Sequence, residues 1–576
     1  MHCRVRQNAT PLGIMMKLIL RISATVLFLI AIGLATLVTV APSTPADHPG
    51  IFALLALLLG GALLWKLDPK AHVHWRFYLI LALPLALLLP MVVIARAFRR
   101  VDMVSILFHA DMGMADAGLQ GLETELLQAV LVCAILVIGM RGLVRLWGGR
   151  TRNLVALAAY VLAINPLVLA LVFLVTAPAP KDDLSKFLSY PALAPAAAHS
   201  VDLLMIYMEG VDRQFADPAN WGDVYDPLHE IAAKGTTFSR VEQITGTGWS
   251  LAGVVATQCG VPILPRGLLY GTNFEKLHQF MPGLTCLGDM LAERGYDSRY
   301  IVGGPLEFGG LDILFRGHGY TEATGRVELQ ARRPKSETNA AIIGWMLDDQ
   351  LVFDEATRMH EAMVAGDKPY ALVIETIGPH GQKALISRDC APDGRAGFTE
   401  DFNRVLRCTI DDTAAFVAAA RAKQQAERPD HPLLVVLVSD HLNHNAMVPV
   451  PGADFAGYDT VIFAGAGMAE GKVITKPGAM IDVLPTLMQV MGLSQPPHRA
   501  GLGVSLLGPE QTLVARFGAA ALEPMLLFNR DLADRIWKPA PAGPPFRRGK
   551  RPPPGPSFGG APHGPWWDWF APPGRP

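Results

Sequence analysis

The segment Leu433-Leu434-Val435-Val436-Leu437-Val438-Ser439-Asp440-His441 decides the fold class of the second half of the chain. Its apolar run, rich in leucine and valine, predicts a β-strand. The polar pair Asp440-His441 follows directly after that strand. In open α/β sheets, ligands bind beyond the carboxyl ends of the strands. The segment therefore predicts both a sheet and a site at the edge of that sheet.

Similar apolar runs alternate with helical patterns through residues 201–537. The strand candidates are Val201–Met208, Ser298–Val302, Tyr370–Glu375, Leu433–Val438 and Thr460–Phe463, and the helix candidates are Cys286–Arg294, Asp412–Glu427 and Met480–Met491. Alternation of this kind predicts an α/β domain with a mostly parallel sheet. Glu209 follows the first of these strands, so we expect it at the same sheet edge as Asp440.

The first third of the chain is markedly apolar and predicts a membrane region. Hydrophobic residues make up 51% of the 576 residues, and five apolar segments account for the excess: Ile22–Val40, Ile51–Trp65, Phe77–Ala95, Leu126–Met140 and Leu154–Ala177. A helix needs about 20 apolar residues to cross a bilayer. The second and fourth segments are shorter, so they are either completed by snorkelling of Lys66 and Arg141 or re-entrant. We expect an all-α membrane domain of five transmembrane helices over residues 1–177.

Basic residues predict the orientation of these helices. They lie before the first segment, between the second and third, and between the fourth and fifth: Arg4, Arg6, Lys17, Arg21, Lys66, Lys70, Arg76, Arg141, Arg145, Arg150 and Arg152. The positive-inside rule then places the N-terminus in the cytoplasm and residues 201–537 on the outer side of the membrane. A Pro-, Ala- and Ser-rich linker is expected over residues 178–200, and a disordered Pro- and Gly-rich tail over residues 538–576.

Charge and cysteine content narrow the partner and the compartment. The chain has 50 Lys+Arg against 51 Asp+Glu, so no basic bias points to nucleic acid. Cys259, Cys286, Cys390 and Cys408 lie in the predicted exported domain, and an even number suits an oxidising compartment. Of the three possible pairings, the sequence-local one is Cys259–Cys286 with Cys390–Cys408. Four free buried thiols are the alternative.

The segment Gly246-Thr247-Gly248-Trp249-Ser250 supplies a candidate nucleophile. The glycines on either side of Thr247 allow close backbone approach and an exposed hydroxyl. Ser250 begins an apolar run that predicts a helix, and serine is a suitable N-cap. The N-terminus of a helix favours a phosphate. We therefore expect Thr247 to act on a phosphate group held near this helix.

Glu209, Asp440 and His441 are weak signals when each is taken alone, but together with Thr247 they form a plausible metal site. A divalent metal lowers the pKa of a bound hydroxyl and neutralises charge on a phosphoryl oxygen. His380, in Pro379-His380-Gly381, can contact a phosphate oxygen or protonate a leaving alkoxide. This combination predicts a covalent phospho-threonine intermediate and two displacement steps.

At these residues the sequence resembles the membrane-bound phosphoglycerol transferases of the alkaline phosphatase/sulfatase superfamily. The resemblance spans residues 201–508. The motifs that carry it run through residues 247–262, Cys286-Leu-Gly-Asp289, Ile386-Ser-Arg-Asp-Cys390 and Ser439-Asp-His-Leu442. The Cys/Ser-x-Pro-x-Arg signature of formylglycine sulfatases is absent around Thr247. The resemblance thus implies a sulfatase-like α/β domain that is not a formylglycine sulfatase.

The resemblance also implies roles for individual residues. Glu209, Thr247, Asp440 and His441 would bind zinc or manganese, and Thr247 would be the nucleophile. His380 would contact the substrate phosphate. His444 is either a further substrate or metal contact or an ordinary loop histidine, and Trp345 either lines the headgroup pocket or packs in the core. Asp482 is expected to cap or pack.

The expected reaction is transfer of phosphoglycerol from phosphatidylglycerol in the membrane to a periplasmic glucan. The Ile377-Gly378-Pro379-His380-Gly381 stretch is similar to that of phosphoethanolamine transferases, which modify lipid A or another envelope glycan. Such a transferase is therefore the first alternative. A non-catalytic glycan-binding protein of the cell envelope is the second.

Overall fold

The computed structural model describes residues 11–40, 48–67, 74–97, 123–147, 150–166, 168, 172, 182–195, 200–264, 280–380, 384–444, 452, 454–527 and 529–538. Its α-helices are α1 Pro11–Val40, α2 His48–Leu67, α3 Arg76–Ala97, α4 Glu123–Trp147, α5 Thr151–Ala163, α6 Pro218–Trp221, α7 Asp226–Ala233, α8 Ser250–Cys259, α9 Leu287–Glu293, α10 Leu311–Gly317, α11 Arg326–Arg332, α12 Lys335–Ala340, α13 Asp349–Val364, α14 Phe402–Glu427, α15 Val483–Val490, α16 Leu513–Phe517, α17 Ala519–Leu527 and α18 Arg530–Trp537. Its strands are β1 Asp202–Met208, β2 Gly235–Phe238, β3 Val241–Glu242, β4 Asp297–Val302, β5 Glu322–Thr324, β6 Ile342–Ile343, β7 Met346–Leu347, β8 Tyr370–Glu375, β9 Ala384–Ile386, β10 Gly397–Thr399, β11 Leu433–Ser439, β12 Val461–Gly465, β13 Lys472–Ile474, β14 Gly478–Ala479, β15 Arg499–Ala500 and β16 Gly503–Val504.

The N-terminal helices form a bundle that is consistent with a membrane domain. Among the described residues, three helical segments are long and apolar enough to cross a membrane: Met15–Leu37, Arg76–Ile94 and Glu123–Trp147. The fourth predicted segment is therefore part of a full-length helix. The second helix has a shorter apolar stretch, Phe52–Leu67. Most of the predicted fifth span beyond Ala163 lies outside the described residues.

Helices α1 and α4 pack closely because of a glycine. A Cβ atom at Gly142 of α4 would lie 2.4 Å from the Phe28 ring of α1, so no larger residue fits there without a shift. Small residues at membrane helix interfaces allow this kind of approach. Phe28, Leu136 and Met140 belong to one buried apolar cluster of the bundle.

An eight-stranded sheet forms the centre of the second region and confirms the predicted α/β class. The strand order is β13-β2-β12-β11-β1-β8-β4-β5. Every pairing is parallel except the two made by β12, so β12 alone runs against the other seven strands of this sheet. The strands predicted from sequence lie within it, and their ends agree to within two residues.

Helices cover both faces of this sheet. All seven residues of β1 are buried, and successive side chains enter different clusters. Leu203, Met205 and Tyr207 pack on the side of α8, whereas Leu204 and Ile206 pack on the side of α13 and α14. The alternation follows from the two-residue repeat of a strand. Helix α14 begins ten residues before the predicted helix did, because Asp401 caps its N-terminus through the N–H group of Arg404.

The described part of the predicted linker contacts the domain that follows it. Leu184 is fully buried, and Ser189 and Leu193 form isolated bridges with Gly501 and Ser494. Residues 182–195 therefore pack on the α/β domain. The predicted tail lies outside the described residues from residue 539 onward.

Candidate active site

Parallel pairing of β1 with β11 brings Glu209 and Asp440 together. Met208 is in register with Ser439, so the next residue of each chain leaves the sheet at the same edge. The N–H group of Gly210 donates a 2.8 Å hydrogen bond to Asp440 Oδ1, and the N–H group of His441 donates a second bond to the same oxygen at 2.9 Å. The sheet edge thus fixes one Asp440 oxygen and turns the other inward.

Glu209, Asp440 and His441 form a compact and buried cluster. Nε2 of His441 lies 3.2 Å from Glu209 Oε1 and 3.3 Å from Asp440 Oδ2. Each of the three residues offers one potential ligand atom, and these atoms lie within 4.8 Å of one another. Asp440 Oδ2 is buried and accepts no hydrogen bond from the described residues. A buried carboxylate oxygen without a donor is costly, and a cation at this point would satisfy it.

The charges of this cluster are strongly coupled. Burial raises the pKa of Asp440 to about 7, and the neighbouring Glu209 charge adds to the shift. Burial disfavours ionised Glu209, but the positive charge on His441 outweighs it and holds the pKa of Glu209 below its usual value. Burial opposes the charge on His441 as well, yet Asp440 and Glu209 raise its pKa to about 10. The same two carboxylates that raise the pKa of His441 would attract a divalent cation, which would bind the neutral imidazole in place of its proton.

Ser250 places a hydroxyl directly in this cluster. Its Oγ donates a 2.9 Å hydrogen bond to Glu209 Oε2 and lies 3.4 Å from His441 Nε2. Ser250 is the first residue of α8, and Trp249 is the N-cap, without a side-chain capping bond. The prediction that Ser250 is the N-cap is therefore wrong, because its hydroxyl is directed to Glu209 and not to the helix backbone.

Gly253 allows α8 to approach the cluster. A Cβ atom at this position would lie 1.7 Å from the carbonyl oxygen of Asp440. The helix therefore packs directly on the backbone that follows β11. Ser250, almost one turn earlier, then faces Glu209.

The structure places the Thr247 hydroxyl elsewhere. Its Oγ1 donates to the carbonyl of Ile244 at 2.9 Å and accepts from the N–H group of the same residue at 3.1 Å. Thr247 is fully buried, and the positive φ of Gly246 (81°) accompanies this tight turn. Both hydrogen-bonding roles of the hydroxyl are thus used within the turn. For a hydroxyl at the cluster, the geometry favours Ser250 over Thr247. The only sequence signal for Ser250 was its place at a helix start after a glycine-rich loop.

His380 lies on the loop after β8, at the same sheet edge. It is partly buried, and its charge acts on both Glu209 and His444. The side-chain amide of Asn443 donates hydrogen bonds to the carbonyls of Pro379 and Gly210, so this loop is tied to the loop after β1. His380 is therefore brought to the cluster without being one of its buried members.

His444 stacks on the cluster from the loop after β11. Its ring centroid lies 4.3 Å from that of His441, with a 31° angle between the planes. Burial and the nearby charge of His441 lower the pKa of His444 well below its usual value, so the ring is neutral.

Trp345 occupies the turn between β6 and β7. It is partly buried and packs against the core cluster on the α8 side of the sheet. Leu347, two residues later, donates its N–H group to the carbonyl of Gly303 at 2.9 Å, just beyond the end of β4. Trp345 is therefore both a packing residue and a residue of the sheet edge that holds the cluster.

Two further groups of potential metal ligands contain disulfide cysteines. Cys259 is bonded to Cys286, and Cys390 is bonded to Cys408, the pairs closest in sequence. The first pair adjoins His318 and the second adjoins Asp389 and Asp412. A cysteine in a disulfide offers no thiolate to a metal. Among the described residues, the Glu209 cluster is therefore the group with intact ligands.

The donor set of this cluster suits a divalent cation. Two carboxylates, one imidazole and one hydroxyl match the ligands of zinc and manganese sites, and Asp440 Oδ2, which accepts no hydrogen bond from the described residues, belongs to the same group. Disulfide Cys259–Cys286 joins the last residue of α8 to the N-cap of α9. It thereby fixes the helix that carries Ser250.

Residues 228–493 match the family model described as Sulfatase. This part of the chain, which contains most of the central sheet and most of the site, is therefore similar to the sulfatase family. It is 29% identical over 252 residues to phosphoglycerol transferase I of Escherichia coli (strain 55989 / EAEC), and the match covers 42% of this chain. It covers only 31% of that relative's length.

Two solved structures are similar to parts of this chain. One is a protein in the alkaline phosphatase superfamily from Vibrio parahaemolyticus, with 19% identity and a TM-score of 0.42, covering 56% of this chain and 73% of the other. The second is the integral membrane lipooligosaccharide phosphoethanolamine transferase A of Neisseria meningitidis, with 14% identity and a TM-score of 0.44, covering 82% of this chain and 96% of the other.

Proposed function

We propose that this chain is a membrane-anchored, metal-dependent phosphotransferase that moves phosphoglycerol from phosphatidylglycerol to a periplasmic glucan. One observation carries the reaction type: a hydroxyl at a helix N-terminus, bonded to a buried carboxylate beside an Asp-His pair. The similarity to phosphoglycerol transferase I supports the choice of headgroup.

Ser250 is the nucleophile of this proposal. Its Oγ attacks phosphorus, a bond from that oxygen to phosphorus forms, and the bond from phosphorus to the diacylglycerol oxygen breaks. The Ser250 proton passes to Glu209 Oε2, which accepts its hydrogen bond, and the same oxygen returns it to the serine in the second step. In the second step, a glucan hydroxyl attacks, the Ser250–phosphorus bond breaks, and the serine regains a proton. The intermediate is thus phosphoserine in place of the phospho-threonine expected from sequence.

Glu209, Asp440, His441 and the Ser250 oxygen would hold a divalent cation, zinc or manganese. Such a cation stabilises the ionised hydroxyl and neutralises charge on a phosphoryl oxygen. The N-terminus of α8 adds backbone N–H groups and a positive dipole end on the same side.

His380 is the general acid for the leaving diacylglycerol oxygen and the general base for the entering glucan hydroxyl. It is the more exposed imidazole of the site, on the loop that faces the cluster. In the first step it protonates the diacylglycerol oxygen, and in the second step it takes the proton of the glucan hydroxyl. His444, neutral and stacked on His441, contributes a hydrogen-bonding group to the phosphate side of the pocket.

The N-terminal helices bring this chemistry to its lipid donor. Three helical segments long enough to span a membrane precede the domain. We place them in a bacterial inner membrane, with two further spans and with the α/β domain in the periplasm. Two disulfides in that domain fit an oxidising compartment.

The test uses the purified full-length protein in detergent with manganese or zinc. Separate samples receive phosphatidylglycerol or phosphatidylethanolamine labelled in the headgroup, and tryptic peptides are read by mass spectrometry. We expect a glycerol-phosphate adduct on the peptide of residues 241–266, localised to Ser250, which is discharged by added glucan. An ethanolamine-phosphate adduct would show that the transferred headgroup is phosphoethanolamine and not phosphoglycerol. No adduct with either lipid, together with unchanged glucan, would favour the non-catalytic alternative.

A further inference from the structure

The loop that carries His380 is held by a buried carboxylate from a different element. Asp349 is the first residue of α13 and is 2% exposed. Its Oδ1 accepts the N–H group of Ile377 at 2.8 Å, and its Oδ2 accepts the N–H group of Gly378 at 2.9 Å. Each carboxylate oxygen therefore fixes one of two successive peptide units, two and three residues before His380.

The same loop is also closely packed at Gly378. A Cβ atom at Gly378 would lie 2.4 Å from Thr409 Oγ1 and 3.0 Å from Asp349 Oδ2, so the loop is held between α13 and α14. The carbonyl of Gly378 accepts the N–H group of Leu385 at 2.8 Å. These contacts fix the backbone up to the residue before Pro379.

We propose that Asp349 is a positioning residue, which sets His380 against the phosphate through the Ile377–Gly378 peptide units. The proposal rests on the role of His380 in the proposed function. Only a group with two acceptor atoms can hold both N–H groups at once. An asparagine at this position offers one acceptor and one donor, so it leaves one buried N–H group unpaired and opposes it with a second donor.

The chain contains a matched control for this carboxylate. Asp482 is fully buried and also accepts two backbone N–H groups, from Ala479 at 2.9 Å and Val504 at 2.8 Å. Neither segment contains a residue that we assign to the site. Asp482→Asn therefore imposes the same chemical change and a similar loss of stability, but leaves the His380 loop intact.

The first test compares headgroup transfer by wild type, Asp349→Asn, His380→Ala, the double variant and Asp482→Asn. We expect Asp349→Asn to lower kcat by about 10- to 100-fold with KM changed by less than about 2-fold, because misplacement acts on the transition state. In the His380→Ala background, Asp349→Asn should cause no further loss. Asp482→Asn should keep kcat within about 2-fold of wild type. If the loss of kcat in the double variant equals the product of the losses in the two single variants, Asp349 does not act through His380 and the proposal is overturned.

The second test does not need activity. Modification of His380 by diethyl pyrocarbonate is followed by mass spectrometry, with His229, whose side chain is 56% exposed, as internal reference. Asp349→Asn should raise the His380 rate at least about 3-fold by loosening its loop, and Asp482→Asn should not. An unchanged rate in Asp349→Asn would contradict the proposal. If Asp349→Asn does not fold, Gly378→Ala disturbs the same contacts and is read in the same way. If the wild type transfers no headgroup, the proposed function fails, and the modification rates alone decide the role of Asp349.

Discussion

Ser250 and Glu209, 41 residues apart in sequence, are joined by a 2.9 Å hydrogen bond at the carboxyl edge of the central sheet. The bond connects the first residue of a helix to the first residue after a strand. It lies against the one cluster of intact metal ligands among the described residues. This pair, more than any single motif, is the reason why we place the proposed phosphoryl chemistry at this edge of the sheet.

Substitution of the two candidate hydroxyls should separate their roles. Ser250→Ala should lower kcat for headgroup transfer by at least about 10³-fold, because it removes the nucleophile. Thr247→Ser keeps a hydroxyl for the Ile244 turn and should stay within about 3-fold of wild type. The measurement is transfer of labelled headgroup at saturating lipid. If the Ser250→Ala protein is active, Ser250 is not the nucleophile and another residue must fill that role.

A methyl group at Gly253 should displace α8 from the cluster. The added Cβ would meet the Asp440 carbonyl at 1.7 Å, so the helix must move and carry Ser250 with it. We expect Gly253→Ala to lower kcat by at least about 10²-fold. Gly317→Ala, where the new Cβ has no atom within 4 Å, is the control and should retain full activity. Equal activities of the two variants would show that the position of α8 is not limiting.

Divalent metal should stabilise the protein through Asp440. Manganese or zinc added to chelator-treated protein should raise the melting temperature, since a ligand that binds only the folded state stabilises it. Asp440→Asn should lose most of this rise. Asp412→Asn, beside the Cys390–Cys408 disulfide, should keep it. Calorimetric melting with and without metal provides the comparison, and a rise that persists in Asp440→Asn would place the metal elsewhere.

The contribution of Asp482 to the stability of the metal-free protein should fall as the pH rises through the acidic range. Burial raises the pKa of Asp482 from 3.8 to about 7 in the folded state. Between these values the folded chain binds more protons than the unfolded chain, so the free energy of unfolding falls as pH increases. Asp482→Asn lacks this proton and should give a flatter curve from pH 4 to pH 7. Urea unfolding at several pH values tests this, and parallel curves for the two proteins would contradict it.

The sheet edge was predictable because its signals are local. The apolar runs before Glu209 and before Asp440 are strands that polar residues follow. In a parallel sheet, the carboxyl ends of the strands lie at the same edge. Five of the eight strands followed from the same pattern, whereas β2, β5 and β13 were not predicted. The second helix candidate, by contrast, was too short, because the polar first turns of α14 depend on the Asp401 cap.

The assignment of the hydroxyl depended on contacts that no local pattern shows. Thr247 lies between two glycines and looks exposed in sequence, but its hydroxyl bonds to Ile244 across a turn. Ser250 looks like a cap, yet the packing of Gly253 on Asp440 turns it toward Glu209. The role of Asp349 is likewise invisible in sequence, since its partners Ile377 and Gly378 are non-local.

The register between β1 and β11 has a consequence for synthesis of the chain. Glu209 emerges from the ribosome more than two hundred residues before Asp440, and the two meet only when the late strand inserts beside the early one. Nascent or truncated polypeptides that end before β11 therefore lack the complete cluster of Glu209, Asp440 and His441. In the proposed function, the headgroup can therefore not be transferred before β11 has docked beside β1.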